Sequence, residues 1–424
     1  MTAFGWRWSA LGWVAGVVAL LVPQTGSSRE AFGIAGNFSQ TQSTSREPTV
    51  EVVGNHVFAA WIDMRTGYGD VYFWASPDRG LTFSQPQNLS NSHARASDVQ
   101  VSKSQANVYV VWVEEGIRLR TSHDFGVTFG PVQVLSERGS DPHIVATDKN
   151  VYVTWTRSEK HGDLFFRASH DFGDSFEPAI ELNEQARGGD VDLAAAGLNV
   201  YAVWDDGSQV FFRRSADEGR SFAPTQVLDE GTAASEDARL GTHALGVSVV
   251  WREGTGCGEI AFRRSTTGGA SFEPILNLSG SPMASLDPLI DVRDNFVYVL
   301  WKEKQAGDTD VFFTRSLDGG VTFDVARNVS ETPGKSAQYA LSSSGNYVRI
   351  VWRDQTMGGS DIFYRSSVDR GASFGDVENL SQSPEKSSSP AIISSGKGAE
   401  VHVLWEEELR GNREIFYRRG VLAP

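Results

Sequence analysis

Ser316-Leu317-Asp318-Gly319-Gly320-Val321-Thr322-Phe323 is the stretch that decides the fold, because its pattern Ser-x-Asp-x-Gly-x-Ser/Thr-Phe recurs along the chain. We call this eight-residue pattern the box. Seven copies occur at intervals of 46 to 51 residues, and they begin at Ser76, Ser122, Ser169, Ser215, Ser265, Ser316 and Ser367. Self-similarity at such a period indicates a repeat architecture in which each copy is one supersecondary unit.

Each box lies between two runs with the composition of β-strands. Val311-Phe312-Phe313 precedes the box at Ser316, and a short run that ends in Asn-x-Ser follows it at Asn328. Upstream, residues 297–301 (VYVLW) form a run that ends in tryptophan, and a plainer run precedes it in each unit. β-Branched and aromatic runs separated by Gly and Asn predict four antiparallel strands per repeat. Four such strands form a propeller blade.

The number of blades follows from the tryptophan that ends the second strand of each unit. It occurs eight times, at Trp61, Trp112, Trp155, Trp204, Trp251, Trp301, Trp352 and Trp405. The eighth unit ends after its third strand, and residues 36–40 (GNFSQ) resemble the fourth strand at 378–382 (ENLSQ). We therefore predict an all-β, eight-bladed propeller of four-stranded antiparallel blades, in which the N-terminal strand completes the last blade and removes an exposed edge. Seven blades with an additional sheet is the alternative.

The box resembles the Asp-box, or bacterial neuraminidase repeat, of β-propellers in the sialidase-like superfamily, and the resemblance covers residues 33–420. It implies that the box forms the turn between the third and fourth strands. Asp accepts backbone N–H bonds in tight turns, and Gly permits a positive φ. We therefore expect a structural role in the turn for Asp78, Asp124, Asp171, Asp217, Asp318 and Asp369. Thr267 replaces Asp in the fifth box.

The face opposite the boxes is the predicted ligand face, since ligands of propellers bind there, around the mouth of the channel. The candidate residues are the carboxylates that follow the second strands, Asp63, Glu114, Asp205, Glu253, Glu303, Asp354 and Glu406. A ring of carboxylates is suited to Ca²⁺ or to a cationic partner. No Asp-x-Asp-x-Asp-Gly loop supports a specific metal site. The cofactor expectation is therefore none, with Ca²⁺ as the one candidate.

The resemblance makes a sialidase the obvious enzyme hypothesis. Sialidases need three arginines for a substrate carboxylate, a tyrosine activated by Glu, and an Asp acid/base, and their Phe/Tyr-Arg-Ile-Pro motif does not occur here. The available tyrosines, Tyr364 and Tyr417, occupy a repeated aromatic position. The available arginines also occupy one repeated position, at Arg120, Arg167, Arg213, Arg263, Arg365 and Arg418. We nominate no catalytic residue.

The first 28 residues differ in composition from the rest of the sequence. Residues 1–28 combine Arg7, an apolar run at 10–22 and small polar residues, which is typical of a secretory signal. The run is shorter than the roughly 20 residues of a membrane span. Retention as an N-terminal anchor is the alternative, and only then do we expect attachment to a membrane. Residues 29–424 are predicted to form a single propeller domain, secreted or associated with the cell envelope.

Net charge limits the classes of partner, and cysteine content limits the possible cross-links. The net charge is −15, which excludes nucleic acid because phosphates require clustered Lys and Arg. Cys257 is the sole cysteine, so no intramolecular disulfide can form. Because the blades are uniform, we predict an exported, non-catalytic propeller that presents a binding face to a glycan, a protein or a cell-envelope component. The alternative is a sialidase-like exo-glycosidase acting on extracellular glycans.

Overall fold

The protein is an all-β propeller in the computed structural model, and the prediction of eight four-stranded blades is confirmed. The structure describes residues 30–157, 162–183, 188–189, 191–231, 233–254, 256–305, 307–356, 358–395 and 398–422. The predicted signal or anchor at 1–28 lies outside these residues. In the described ranges, no helix has the length and apolar character needed to cross a bilayer.

Blades 1 to 4 each combine four consecutive strands, joined as antiparallel neighbours. Their bounds are β3 (Ser45–Val53), β4 (His56–Asp63), β5 (Asp70–Ser76) and β6 (Gln87–Asn88); β7 (Ser97–Ser104), β8 (Asn107–Val113), β9 (Ile117–Ser122) and β10 (Gln133–Ser136); β11 (Ser140–Thr147), β12 (Asn150–Arg157), β13 (Asp163–Ser169) and β14 (Ile180–Glu181); β15 (Val191–Ala196), β16 (Asn199–Asp205), β17 (Val210–Ser215) and β18 (Gln226–Val227).

Blades 5 to 7 repeat the same order, whereas blade 8 takes its outer edge from the start of the chain. The bounds are β19 (Ser235–His243), β20 (Gly246–Glu253), β21 (Glu259–Ser265) and β22 (Leu276–Asn277); β23 (Ala284–Arg293), β24 (Phe296–Gln305), β25 (Asp308–Ser316) and β26 (Arg327–Asn328); β27 (Ala337–Ser344), β28 (Tyr347–Asp354), β29 (Asp361–Ser367) and β30 (Glu378–Asn379); β31 (Ser387–Ser394), β32 (Glu400–Leu409) and β33 (Asn412–Leu422), with β1 (Glu30–Phe32) and β2 (Gly36–Asn37).

The N-terminal strand closes the ring, as predicted. β1 and β2 both pair with β33, and Gly36 lies opposite Tyr417. The Ser39 hydroxyl donates to Glu414 Oε2 at 2.5 Å and accepts from the Ile415 N–H at 2.9 Å. Ser381 makes the same two bonds within blade 7. The Asn-x-Ser run of the N-terminus therefore does in blade 8 what the fourth strand does elsewhere.

The first strand of every blade lies innermost, because each one contacts the first strands of both neighbouring blades and so lines the central channel. The box and the turn between the first and second strands share one face, which we call the bottom face. There the N–H of Arg79 in the box donates to the carbonyl of Asn55 in that turn at 2.7 Å. The loops between second and third strands, and the connections between blades, form the top face.

The apolar core is divided into eight clusters, each between consecutive blades. Every cluster holds one of the eight tryptophans, all fully buried, which packs on the preceding blade. Trp61 lies in one cluster with Leu404, Ile415 and Tyr417 of blade 8, so the seam that the N-terminal strand closes has the same kind of core as the others. Full burial of a large apolar side chain contributes about 2–3 kcal/mol. The tryptophans therefore fix how the blades stack.

Candidate binding face at the channel mouth

The six box aspartates lie in the turns of the bottom face. Asp78 accepts from Ser76 Oγ at 2.8 Å, from the Thr82 N–H at 2.8 Å and from Thr82 Oγ1 at 2.6 Å. The corresponding bonds recur at Asp124, Asp171, Asp217, Asp318 and Asp369. These carboxylates are engaged in their own turn, on the face away from the inter-blade connections.

The fifth box keeps this turn without a carboxylate. Thr267 Oγ1 accepts from the Ser271 N–H at 3.0 Å and lies 3.1 Å from the Ser271 hydroxyl. One hydroxyl oxygen therefore replaces two carboxylate oxygens, which explains why this copy tolerates the substitution.

The glycine and phenylalanine of the box face the neighbouring blade. A Cβ on Gly126, whose φ is +79°, would lie 2.6 Å from Phe73 in the preceding blade. The ring of Phe129, from the same box, packs edge-on against Phe73 with centroids 4.9 Å apart. The box therefore joins adjacent blades.

The seven carboxylates predicted to line the ligand face do not form an open ring. Six of them are more than nine-tenths buried and Glu253 is half-buried. Strand alternation is the reason, because a residue two positions after the tryptophan lies on the same side of the strand and faces the preceding blade. Five of the seven occupy that position, namely Asp63, Glu114, Glu253, Glu303 and Asp354.

Those buried carboxylates tie the second strand to the connection arriving from the preceding blade. Glu114 accepts from Trp112 Nε1 at 2.7 Å and from the Ser92 hydroxyl in that connection. Asp354 accepts from Thr332 Oγ1 at 2.6 Å and from Ser336 Oγ at 2.7 Å. Asp63, Glu114, Glu303 and Asp354 are thus engaged as hydrogen-bond acceptors.

Glu406 and Asp205 follow their tryptophan by one residue and therefore face the next blade. Glu406 accepts from the Glu47 N–H at 2.9 Å, and Asp205 accepts from the Ala238 N–H at 3.4 Å. Both acceptors hold the start of the next innermost strand.

The arginines considered for a sialidase site also join neighbouring blades. Arg263 donates from Nε to the Glu273 carbonyl at 2.6 Å and from NH1 to the Leu228 carbonyl of blade 4 at 2.5 Å. Equivalent bonds to the preceding blade are made by Arg120, Arg167, Arg213, Arg365 and Arg418. Each guanidinium sits beside a different blade, so these six do not converge on one substrate carboxylate.

The surroundings of the two tyrosines on the repeated aromatic position do not favour an activated phenolate. Burial raises the pKa of Tyr417 above its ordinary value, and burial followed by the Glu30 carboxylate raises the pKa of Tyr364. Tyr417 Oη lies 2.8 Å from His402 Nδ1. A nucleophilic phenolate requires the opposite shift.

A different ring of polar residues lies at the mouth of the channel, and sequence reasoning missed it. In blades 1 to 3 and 5 to 8, the innermost strand has a register shift near its top end. The residue at that shift has a φ between +46° and +58°. We call these residues the mouth ring: Glu47, Asp98, Asp141, Asp237, Asp287, Gln338 and Ser389. The corresponding position of blade 4, Asp190, lies outside the described residues.

Members of the mouth ring interact from blade to blade. The Asp98 N–H donates to Glu47 Oε2 at 2.8 Å. Burial raises the pKa of Asp237, and the charge of Asp287 raises it further. Asp98, Asp141 and Asp287 are exposed, so among the described residues the mouth of the channel is acidic along blades 1 to 3, 5 and 6.

A sequence signal for this ring exists in hindsight. Glu47-Pro48, Asp141-Pro142 and Asp287-Pro288 place a carboxylate directly before proline at the start of the first strand. A bulge adds one residue to a strand, so period-two counting cannot assign the face of this residue. In the described ranges, no group of three or more His, Cys, Asp or Glu side chains is arranged to hold a metal ion.

The comparisons with known proteins agree with the fold. No protein-family model matches the chain, and no curated protein matches its sequence. A solved ulvan lyase, from a polysaccharide lyase family and with -[GlcA(1-4)Rha3S]- bound, shares 11% identity and a TM-score of 0.51, over 75% of this chain and 90% of that chain. The shared property is the propeller fold.

Two further solved structures have lower TM-scores. The Trypanosoma rangeli sialidase in complex with 2,3-difluorosialic acid shares 11% identity with a TM-score of 0.41, over 89% of this chain and 54% of that chain. A Dyadobacter fermentans protein of unknown function shares 13% identity with a TM-score of 0.44, over 93% and 99% of the two chains.

Proposed function

We propose that this chain is an exported, non-catalytic β-propeller whose top face binds a glycan or a protein of the cell envelope. The observation that carries this proposal is the use of the conspicuous polar residues. The box aspartates, the blade arginines and the carboxylates after the tryptophans are engaged in bonds that recur from blade to blade. A catalytic set should depart from the repeat instead of obeying it.

The top face carries polar residues that are not all used in these recurring bonds, and they are the candidates for binding. The mouth ring is polar, largely exposed, and differs from blade to blade, with carboxylates in blades 1 to 3, 5 and 6 and neutral residues in blades 7 and 8. A surface that varies while its scaffold stays constant is suited to recognition. The ulvan lyase and the sialidase have saccharides or analogues in their structures, and the likeness to the lyase makes saccharides the first probes to try.

The proposal is tested by assaying the purified chain in two ways. We expect no turnover of aryl glycosides, sialosides or uronate polymers, and saturable binding to at least one extracellular polysaccharide. Turnover that disappears when a mouth-ring carboxylate is replaced, for example in Asp287→Asn, would establish the exo-glycosidase alternative. Loss of binding in the same variant without any turnover supports the binding role.

A further inference from the structure

A cavity of about 530 Å³ opens on the top face between blades 7 and 8. Its cationic side chains are Arg353 at the end of β28, Lys386 in the connection before β31, and Arg413 at the start of β33. Glu406 and Glu408 also line it. Three cations therefore face two carboxylates, in a protein whose net charge is −15. The cavity is a locally basic site on an acidic molecule.

Arg353 departs from the repeat in a specific way. The residue after the tryptophan is also a cation in blades 5 and 6, where Arg252 pairs with Glu236, and Lys302 pairs with Asp287. These acidic partners lie on the innermost strand of the same blade.

In blade 7 the innermost strand has lost both acidic partners. Ala337 lies opposite Arg353 at the position of Glu236, and Gln338 occupies the position of Asp287. Among the described residues, no carboxylate pairs with Arg353 or with Lys386. The blade has kept the cation and removed its counter-ion.

Two further groups in the cavity lack partners. Ser387 lines it and is fully buried, and its hydroxyl has no hydrogen-bond partner in the part of the chain that the structure describes. The buried Nε of Arg353 is likewise without an acceptor among the described residues. A buried polar group without a partner is destabilising. The equivalent atoms of blade 5, Ser235 Oγ and Arg252 Nε, also lack a partner among the described residues, so the feature that distinguishes blade 7 is the missing carboxylate opposite Arg353.

By contrast, Arg413 is held in place. Its NH1 lies 3.4 Å from Glu406 Oε2, which also accepts from the Ser388 hydroxyl at 3.4 Å. Arg353 and Lys386 are therefore the cations that remain available to an incoming anion.

We propose that this cavity binds an anionic group, a carboxylate or a sulfate ester, carried by an extracellular saccharide. The inference rests on the proposed binding function and locates it at one seam of the propeller. Ser388, Glu408 and Gln355 line the cavity beside the cations with side chains that are at least partly exposed, and groups of these types exchange hydrogen bonds with sugar hydroxyls. The neutral members of the mouth ring, Gln338 and Ser389, belong to these two blades, so the acidic arc is interrupted where the anion would approach.

The test is a binding titration of the full chain at physiological ionic strength. The probes are polygalacturonate for the carboxylate, dextran sulfate for the sulfate ester, dextran as the neutral saccharide, and polyglutamate as an acidic peptide. We expect one of the two anionic polysaccharides to bind. Dextran should bind at least about tenfold more weakly because it lacks the charged group, and polyglutamate at least about tenfold more weakly because it lacks the sugar hydroxyls.

Two variants address the site. Arg353→Gln removes the cation. Ala337→Glu restores the carboxylate that blade 5 has opposite its own arginine, and so occupies Arg353 internally. Each should weaken the anionic polysaccharide about tenfold or more, with unchanged circular dichroism. The matched control is Arg252→Gln, at the same position of blade 5, which should leave binding unchanged.

The outcomes separate the two proposals. Anionic binding that survives both Arg353→Gln and Ala337→Glu overturns the site while the binding function stands. No binding to any saccharide, with a folded protein, overturns the site and removes the support for glycan binding. Equal binding of polyglutamate overturns the assignment to a saccharide. Loss in both variants, with Arg252→Gln unaffected, supports the site.

Discussion

Replacing Asp78 by alanine tests the structural role of the box aspartates. The carboxylate accepts four hydrogen bonds: from Ser76 Oγ, from the N–H groups of Leu81 and Thr82, and from Thr82 Oγ1. The turn is partly exposed, so water replaces some of these bonds, and we take about 0.5 kcal/mol for each. The expected loss is therefore about 2 kcal/mol in the free energy of unfolding.

The pKa shift of Asp78 expresses the same interaction as a charge effect. The bond from the Thr82 hydroxyl, followed by that from its N–H, lowers the pKa of Asp78 from 3.8 to about 2. Such a shift corresponds to about 2.5 kcal/mol in a fully shielded site. Because Asp78 is half-exposed, we reduce this to about 1 kcal/mol. Both routes place the effect between about 1 and 2 kcal/mol.

The assay is urea unfolding followed by tryptophan fluorescence, together with the thermal midpoint. A domain of this size should lose about 2 °C in Tm. Asp78→Thr is the matched control, because the fifth box folds with Thr267 at this position, and it should cost about half as much as Asp78→Ala. A loss below about 0.3 kcal/mol for alanine, or lost polysaccharide binding without lost stability, would refute the turn role.

Three other perturbations address the pH response, the clasp and the blade arginines. First, the pKa of the box aspartates is lower in the folded protein than in the unfolded chain. Their contribution to the free energy of unfolding is therefore complete above the unfolded pKa of 3.8 and declines as the pH falls towards 2. The urea midpoint should decrease as the pH is lowered from 5 to 2.5. Second, Glu30→Ala leaves Arg349, fully buried and 3.0 Å from Glu30, without its carboxylate, and should lower the free energy of unfolding by about 3 kcal/mol in the same urea assay. Third, Arg263→Gln should destabilise the protein by about 1–2 kcal/mol, through two lost carbonyl bonds, while polysaccharide binding is unchanged in a titration.

Each of these three has its own control. A six-site variant with threonine in every aspartate-containing box should show a flatter pH response, and an unchanged response would contradict the assignment. Glu30→Met combined with Arg349→Met should be less harmful than Glu30→Ala alone, because no charge is then left buried. If Arg263→Gln lost polysaccharide binding but kept its full stability, the blade arginines would have to be assigned to the ligand site.

The fold could be predicted because the repeat marks its own positions. Eight tryptophans counted eight blades, and the Asn-Phe-Ser run that contains Ser39 identified the strand that closes blade 8. These are local signals, repeated at fixed spacing, and each is supported by the others. Sequence reasoning therefore recovered the architecture and the role of the N-terminal strand.

The binding face was harder to predict because it depends on which side of a strand a residue faces. Glu114 looked like a loop carboxylate, yet it continues the buried side of Trp112. The repeat gave no reason to single out Asp98, which lies at a bulge near the top end of β7. The missing counter-ion of Arg353 became visible only when the register placed Ala337 opposite it. Strand pairing shows which side of a strand a residue occupies and which residue lies opposite it. The repeat in the sequence does not show either.

Hydrogen–deuterium exchange with mass spectrometry, with and without an anionic polysaccharide, tests whether the ligand binds on the top face between blades 7 and 8. Polygalacturonate and dextran sulfate are the two probes. We expect slower exchange in peptides that contain Ser360, Lys386 to Ser388 and Glu406 to Arg413, with the box turns of the bottom face unchanged. Protection confined to the box turns, or spread evenly over all eight blades, would contradict it.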